Sequence, residues 1–197
     1  MSAVAASPMR SFDPERLGRL ECDAWAGYYR REWVRVLGAF VGMIRAGFGM
    51  SWPRTILGAW YVLRANQLWA PYPGNDPDGA RTAMRRFYAL VAAAHHEQID
   101  AAEAARLEVD WWRAHREVQR EGGGLPPLCE ALTALYAYVY SVPAAGVREA
   151  ARLRAEAMVT SDEWVAAGCP LPSALLDTER AQLIESYGAL LAAVRPR

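Results

Sequence analysis

Apolar residues recur at helical spacing along almost the whole chain, and no segment shows the strict alternation of a β-strand. Glycine- and proline-containing breaks divide this pattern into about seven segments. We therefore expect an all-α fold, a single-domain bundle of about seven helices over residues 13–197. Residues 1–12 lack periodicity and are predicted to form a flexible N-terminal tail.

Helix starts are the clearest local signals in the sequence. Asp13-Pro14, Ser51-Trp52-Pro53 and Asp76-Pro77 each place a capping residue before a proline in the first turn. Asp100 with Glu103 has the spacing of a capping box. The predicted helices span about residues 13–46, 51–69, 76–98, 101–120, 128–140, 143–168 and 178–194.

The second predicted helix, residues 51–69, is apolar on nearly every face, which is typical of a helix in the middle of a fold. Its stripe of Ile56, Trp60, Leu63 and Gln67 is expected to be buried. Its polar residues need specific hydrogen-bond partners, and the proline-rich loop that follows is a natural pocket rim. The predicted ligand-binding residues are Arg64, Asn66, Gln67, Asn75, Asp76, Trp111 and Trp112.

The net charge of the 197-residue chain is zero, so no global field draws it to nucleic acid. Residues 1–86 are nevertheless net +5, and residues 87–197 are net −5. The halves are expected to pack on each other or to pair protomers head to tail, with a basic patch in the first half as an alternative. The longest apolar runs are far shorter than the roughly 20 residues of a membrane span. We expect a cytoplasmic protein with no membrane span.

All 22 basic residues are arginine, which excludes every mechanism that needs a lysine, such as a Schiff base or a Walker A phosphate site. No Glu-x-x-His pair is present, so we predict no metal site of the di-iron type. We predict no cofactor, but a haem held by one histidine needs only an apolar pocket and stays open, with His95 as its candidate ligand.

The segment 95–116 holds all three histidines of the chain and a Trp111-Trp112 pair. On a helical wheel, Glu108 and His115 lie on one flank of this pair, seven residues apart. A carboxylate and an imidazole against indole rings would be partly desolvated, which suits acid–base catalysis. The alternative is that each side chain only fixes the packing of a neighbouring helix.

Two longer segments, SWPRTILGAWYVLRANQLWAPYPGNDPD and LEVDWWRAHREVQ, resemble segments of an uncharacterised family of all-helical cytoplasmic proteins of similar length from GC-rich bacteria. The similarity extends over most of the chain after the tail. The resemblance implies one helical domain, and it implies no activity and no catalytic residues.

Two classes of function fit these observations. The first is a non-catalytic, tryptophan-rich binding protein whose partner is another protein, a second copy of itself or a small apolar ligand. The second is a small helical enzyme that uses Glu108 and His115 as acid and base in an aromatic groove lined by arginine.

Overall fold

A computed structural model describes residues 7–195. Within that range the chain forms eight α-helices, one short 3-10 turn at Pro8–Arg10 and no β-strand. The helices are α1 (Pro14–Tyr29), α2 (Trp33–Phe48), α3 (Trp52–Trp69), α4 (Pro77–His95), α5 (Ala101–Glu121), α6 (Pro126–Tyr140), α7 (Ala144–Ala166) and α8 (Ala174–Val194). The predicted all-α class is confirmed, with one helix more than expected.

Three of the predicted helix starts are capped as the sequence suggests. The carboxylates of Asp13, Asp76 and Asp100 each accept a hydrogen bond from a backbone N–H of the first turn, at 3.0, 2.8 and 2.7 Å. The Ser51 side chain makes no such bond. Glu103 lies in the first turn of α5, where its carboxylate pairs with Arg106 at 2.6 Å.

The predicted long first helix is wrong, because the chain turns back between α1 and α2. Arg31 has a left-handed backbone with φ of 62°, and the backbone N–H of Glu32 donates to the Gly27 carbonyl at 2.8 Å. A Cβ atom at Gly27 would lie 2.9 Å from Val36 Cγ2, so a glycine there lets α2 fold closely onto α1. The turn itself contains neither glycine nor proline, and the helical pattern continues through it.

The eight helices form a closed ring. Each helix packs against the next one in sequence, and α8 packs against α1. The connections are short, so neighbouring helices run antiparallel. A Cβ atom at Gly18 of α1 would lie 2.6 Å from Ile184 Cγ1 and 2.7 Å from the Ile184 backbone nitrogen. The closure of the ring therefore requires a residue without a side chain at position 18.

Residues 7–12 pack across one end of this ring. Met9 and Phe12 are buried. Arg10 donates to the Tyr140 carbonyl at the end of α6 at 2.8 Å, and to the Val194 carbonyl at the end of α8 at 3.4 Å. The predicted flexible tail is therefore wrong for these residues, and residues 1–6 lie outside the part of the chain that the structure describes.

The expectation that residues 51–69 form a central helix is also wrong. In a ring every helix has an outer face, and the outer face of α3 carries Trp52, Ile56, Leu57 and Trp60, which are 41–59% exposed. The buried face of α3 instead uses small residues, such as Thr55 and Ala59. Among the described residues, no helix combines the length and the apolarity that a membrane crossing requires.

Glu179 of α8 is a buried carboxyl group beside the apolar cluster that α1, α7 and α8 share. It is 1% exposed, and its Oε2 atom has no hydrogen-bond partner among the described residues. Burial, together with the nearby charge of Glu21, raises the pKa of Glu179 to about 8. The folded protein therefore holds a proton here that the unfolded chain releases above pH 4.5.

Replacing this carboxyl group should change how stability depends on pH. Because unfolding releases the Glu179 proton between pH 4.5 and about 8, this group lowers the free energy of unfolding by about 1.4 kcal/mol per pH unit in that window. Glu179→Gln removes this contribution, so urea unfolding of the variant from pH 5 to 8 should show a flatter decline. Glu163→Gln, at an exposed position of α7, should keep the wild-type slope. Identical slopes in wild type and Glu179→Gln would contradict the assignment.

Candidate functional site

The ring encloses a cavity of about 670 Å³ to which all eight helices contribute side chains. Its wall is rich in aromatic side chains, among them the indole rings of Trp25, Trp69, Trp111 and Trp112. The volume lies within the range of about 300–1,000 Å³ that small-molecule sites occupy. The cavity is therefore the candidate functional site.

The cavity opens at the end of the ring opposite to residues 7–12. Five of its lining residues are exposed: Arg31, Tyr72, Gln119, Arg120 and Ala166. They lie at or just beyond the C-terminal ends of α1, α3, α5 and α7. Because neighbouring helices are antiparallel, these four ends share one side of the ring. We call this group, together with Arg116, the mouth.

A buried ion pair crosses the wall of the cavity. Arg154 of α7 donates to Glu21 Oε1 of α1 at 2.6 Å, and the two side chains are 13% and 3% exposed. Arg154 also donates to the Tyr136 hydroxyl of α6 at 3.2 Å, and the Tyr187 hydroxyl of α8 donates to Glu21 Oε2 at 2.5 Å. One charged pair thus connects four helices of the ring.

Glu108 of α5 lies against the cavity with two hydrogen-bond donors. The Tyr88 hydroxyl donates to its Oε2 atom at 2.6 Å, and Trp112 Nε1 donates to its Oε1 atom at 3.2 Å. Burial raises the pKa of the Glu108 carboxyl, although the Tyr88 hydrogen bond and the charge of Arg154 act in the opposite direction. A raised pKa keeps a carboxyl group protonated to a higher pH and makes its ionised form a stronger base, and both properties suit acid–base exchange.

His115 also lines the cavity, but it has different partners. Its Nε2 atom lies 3.1 Å from Asp162 Oδ2, and Gln119 donates to Asp162 Oδ1 at 2.6 Å. The Trp25 ring packs edge-on against the imidazole, with centroids 5.7 Å apart. The structure therefore brings Glu108 and His115 to one cavity, each within a separate hydrogen-bond network.

The predicted ligand-binding residues divide between the cavity and its surroundings. Asn66, Trp111 and Trp112 line the cavity. Arg64 and Gln67 are not part of its lining, and they hydrogen-bond to each other at 2.7 Å.

Two further predicted ligand-binding residues lie near the mouth. Asn75 lines a smaller groove of about 300 Å³, which it shares with Arg116 and Arg120. Asp76 is absent from the lining of both spaces and caps α4.

Several residues of the site were not predicted from the sequence. Glu21 and Arg154 lie on the inner faces of their helices, where the pattern is otherwise apolar. A charge at such a position is a usable signal, because it requires a partner of opposite charge. Tyr88 and Asp162 fit ordinary helical positions, and nothing in the sequence distinguishes them.

No group of three or more histidine, cysteine, aspartate or glutamate side chains within residues 7–195 is arranged to hold a metal ion. His95 lies at the C-terminal end of α4 and does not line the cavity. Burial lowers the pKa of this histidine. A haem at His95 stays a prediction that no contact of the described residues tests.

Comparisons of the chain with models of protein families, with curated proteins and with solved structures find no match. The function is therefore inferred from the cavity and from the side chains around it.

Removing the cation of the buried pair should destabilise the ring strongly. Arg154→Met leaves the Glu21 carboxylate buried without its partner, which typically costs about 3–5 kcal/mol. Urea unfolding at pH 7 would measure this loss, and adding Glu21→Gln to the variant should restore part of it. Arg152→Met is the matched control, because Arg152 of the same helix pairs with Glu149 in a half-exposed position. That loss should stay below about 1 kcal/mol, and equal losses in both variants would contradict the role of the buried pair.

Proposed function

We propose that this protein binds a small, largely apolar ligand inside the ring of helices. The observation that carries the proposal is the cavity of about 670 Å³, whose wall is rich in aromatic side chains. Protein interiors are close-packed, and voids larger than a water molecule are few. A space of this size with one open end is therefore typical of a ligand site.

Unpartnered donors support the same proposal. Trp111 Nε1 and Arg116 Nη1 are buried nitrogen atoms of residues that line the cavity, and neither has a hydrogen-bond partner among the described residues. Buried donors are normally paired with the protein or with an occupant of the site. A ligand with a polar group among mostly apolar atoms would satisfy both the wall and these donors.

We further propose that the protein acts in the cytoplasm. Cys22, Cys129 and Cys169 are free thiols, as expected in a reducing compartment. Binding of a protein partner and self-association stay as alternative predictions.

A neutral aromatic probe should enter the cavity. Pyrenebutanol is expected to bind the full chain with micromolar affinity, read as energy transfer from the wall tryptophans to pyrene. Val62 of α3 lines the cavity, so Val62→Trp fills part of it and should weaken binding at least about tenfold. Val34→Trp, at a position that is 88% exposed, should bind like the wild type. Equal affinities in the two variants, or no binding by the wild type, would overturn the proposal.

Catalysis is the second candidate function, and Glu108 is the observation that favours it. Its raised pKa and its contact with the Tyr88 hydroxyl support a role for Glu108 as a proton donor or acceptor. His115 is engaged with Asp162 and would position the wall rather than exchange protons with a ligand.

Incubation of the protein with a bacterial metabolite extract, followed by mass spectrometry, would test catalysis. If Glu108 is the acid or base, compounds that the wild type depletes should persist with Glu108→Gln. Glu117→Gln, at an exposed position of the same helix, is the matched control and should deplete them as the wild type does. Depletion by Glu108→Gln at the wild-type rate, or no depletion by any protein, would argue against catalysis.

A further inference from the structure

We propose that the ligand is an organic acid with a single carboxylate, and that Arg116 and Arg120 bind this carboxylate at the mouth. This inference rests on the proposed function and specifies the chemical class of the ligand. It is carried by the positions of three arginine side chains around the open end of the cavity.

The Arg116 side chain is fixed by contacts with Trp69, and one of its N–H donor groups has no well-placed acceptor. Its guanidinium lies over the Trp69 ring, 4.2 Å from the ring centre, and its Nη2 atom donates to the Trp69 carbonyl at 2.8 Å. Its Nη1 atom is buried and has no hydrogen-bond partner of good geometry among the described residues, although the Tyr28 hydroxyl lies close enough to raise the pKa of the guanidinium against the effect of burial. Burial lowers the pKa of this guanidinium. An anion at Nη1 would supply both the missing acceptor and the missing negative charge.

Arg120 lies one turn further along α5 and shares an aromatic ring with Arg116. The centre of the Tyr72 ring lies 3.7 Å from Arg120 Cζ and 5.4 Å from Arg116 Cζ. Two like charges at this helical spacing repel each other. A carboxylate bound by both would remove that repulsion, and guanidinium groups suit the planar geometry of a carboxylate.

Arg31 completes the positive mouth from the turn between α1 and α2. It lines the cavity, and its guanidinium lies 5.7 Å from the Trp33 ring centre. None of the three arginines forms an ion pair with a described residue.

The protein's own carboxylates near the mouth do not neutralise these arginines. Asp162 is engaged by His115 and Gln119. Glu117 and Glu121 share the smaller groove with Arg116 and Arg120, but neither carboxylate forms an ion pair with these arginines. The six mouth residues themselves therefore carry three positive charges and no negative charge.

The side chains deeper in the cavity limit which groups the rest of the ligand can carry. Glu108 and Arg116 are eight residues apart on α5, which corresponds to about 12 Å along the helix. Trp111 and Trp112 form the wall between them. A second anionic group at that depth would meet the Glu108 carboxyl and the buried Glu21, so one anionic group with an apolar body is favoured.

A matched pair of probes tests the carboxylate. Pyrenebutyrate and pyrenebutanol share an apolar body. The first ends in a carboxylate and the second in a hydroxyl group. The full chain should bind pyrenebutyrate at least about tenfold more tightly than pyrenebutanol, because a hydrogen bond to a charged group is worth more than a neutral one. Added salt should weaken pyrenebutyrate binding and leave pyrenebutanol binding unchanged.

Arginine variants locate the site of this preference. Arg116→Gln and Arg120→Gln should each weaken pyrenebutyrate binding about tenfold and pyrenebutanol binding by a clearly smaller factor, because only the carboxylate also loses the attraction between opposite charges. Arg86→Gln is the control, because Arg86 is exposed on α4, lines neither space and makes the same change in net charge. It should leave both affinities unchanged. If Arg116→Gln fails to fold, Arg120→Gln alone tests the assignment, because Arg120 is exposed and its replacement should not affect folding.

The outcomes separate this inference from the proposed function. Equal affinities for the two probes, or an equal effect of Arg86→Gln and Arg120→Gln, would overturn the carboxylate assignment. Pyrenebutanol binding that Val62→Trp weakens would then still support the ligand-binding function. If the wild type binds neither probe, both proposals fail.

Discussion

The packing of α8 against α1 closes the ring, and the cavity depends on that closure. Helix axes pack about 8–10 Å apart, so a regular ring of eight helices would measure about 25 Å between opposite axes. Aromatic side chains fill much of this space and leave about 670 Å³ empty. Closure also requires an even number of helices when every neighbour is antiparallel. The turn at Arg31, which divides one expected helix into two, is therefore what permits the ring to close.

The buried Glu21–Arg154 pair also connects the helices on either side of the α8–α1 contact. Burying two charges is costly, and the gain from pairing them offsets that cost only with good geometry and further hydrogen bonds. Here Tyr136 and Tyr187 supply those bonds, and the four residues come from α6, α7, α8 and α1. These are the helices on either side of the α8–α1 contact. We expect the pair to favour one register of the closing region, because a shifted register would leave each charge buried without its partner.

Local signals predicted much of the fold. The caps at Asp13, Asp76 and Asp100 act through the nearest backbone N–H groups, so their sequence context suffices. The wheel analysis of α5 likewise placed Glu108 and His115 beside the Trp pair, and all four side chains line the cavity.

Long-range features could not be predicted in the same way. Helical periodicity shows which side of α3 is apolar, and it does not show whether another helix covers that side. The fold leaves Trp52, Ile56 and Trp60 on the outer surface because the main packing partners of α3 are α2 and α4, and neither helix covers that face. The turn after Tyr29 depends on close contact between α1 and α2. The residues of the turn itself include no glycine or proline that would predict it. The pairing of Glu21 with Arg154 similarly joins residues far apart in sequence, and only the ring brings them together.

The net charge of each half of the sequence does not predict the charge around the mouth. Arg116 and Arg120 belong to residues 87–197, the half of the chain with net charge −5. Both nevertheless lie near the C-terminal end of α5, where the ring opens and where Arg31, from the net-positive half, also lines the cavity. Screening limits the reach of surface charges to about 10 Å. The proposed preference for a carboxylate therefore depends on the charged side chains within that distance of the mouth, and not on the net charge of either half.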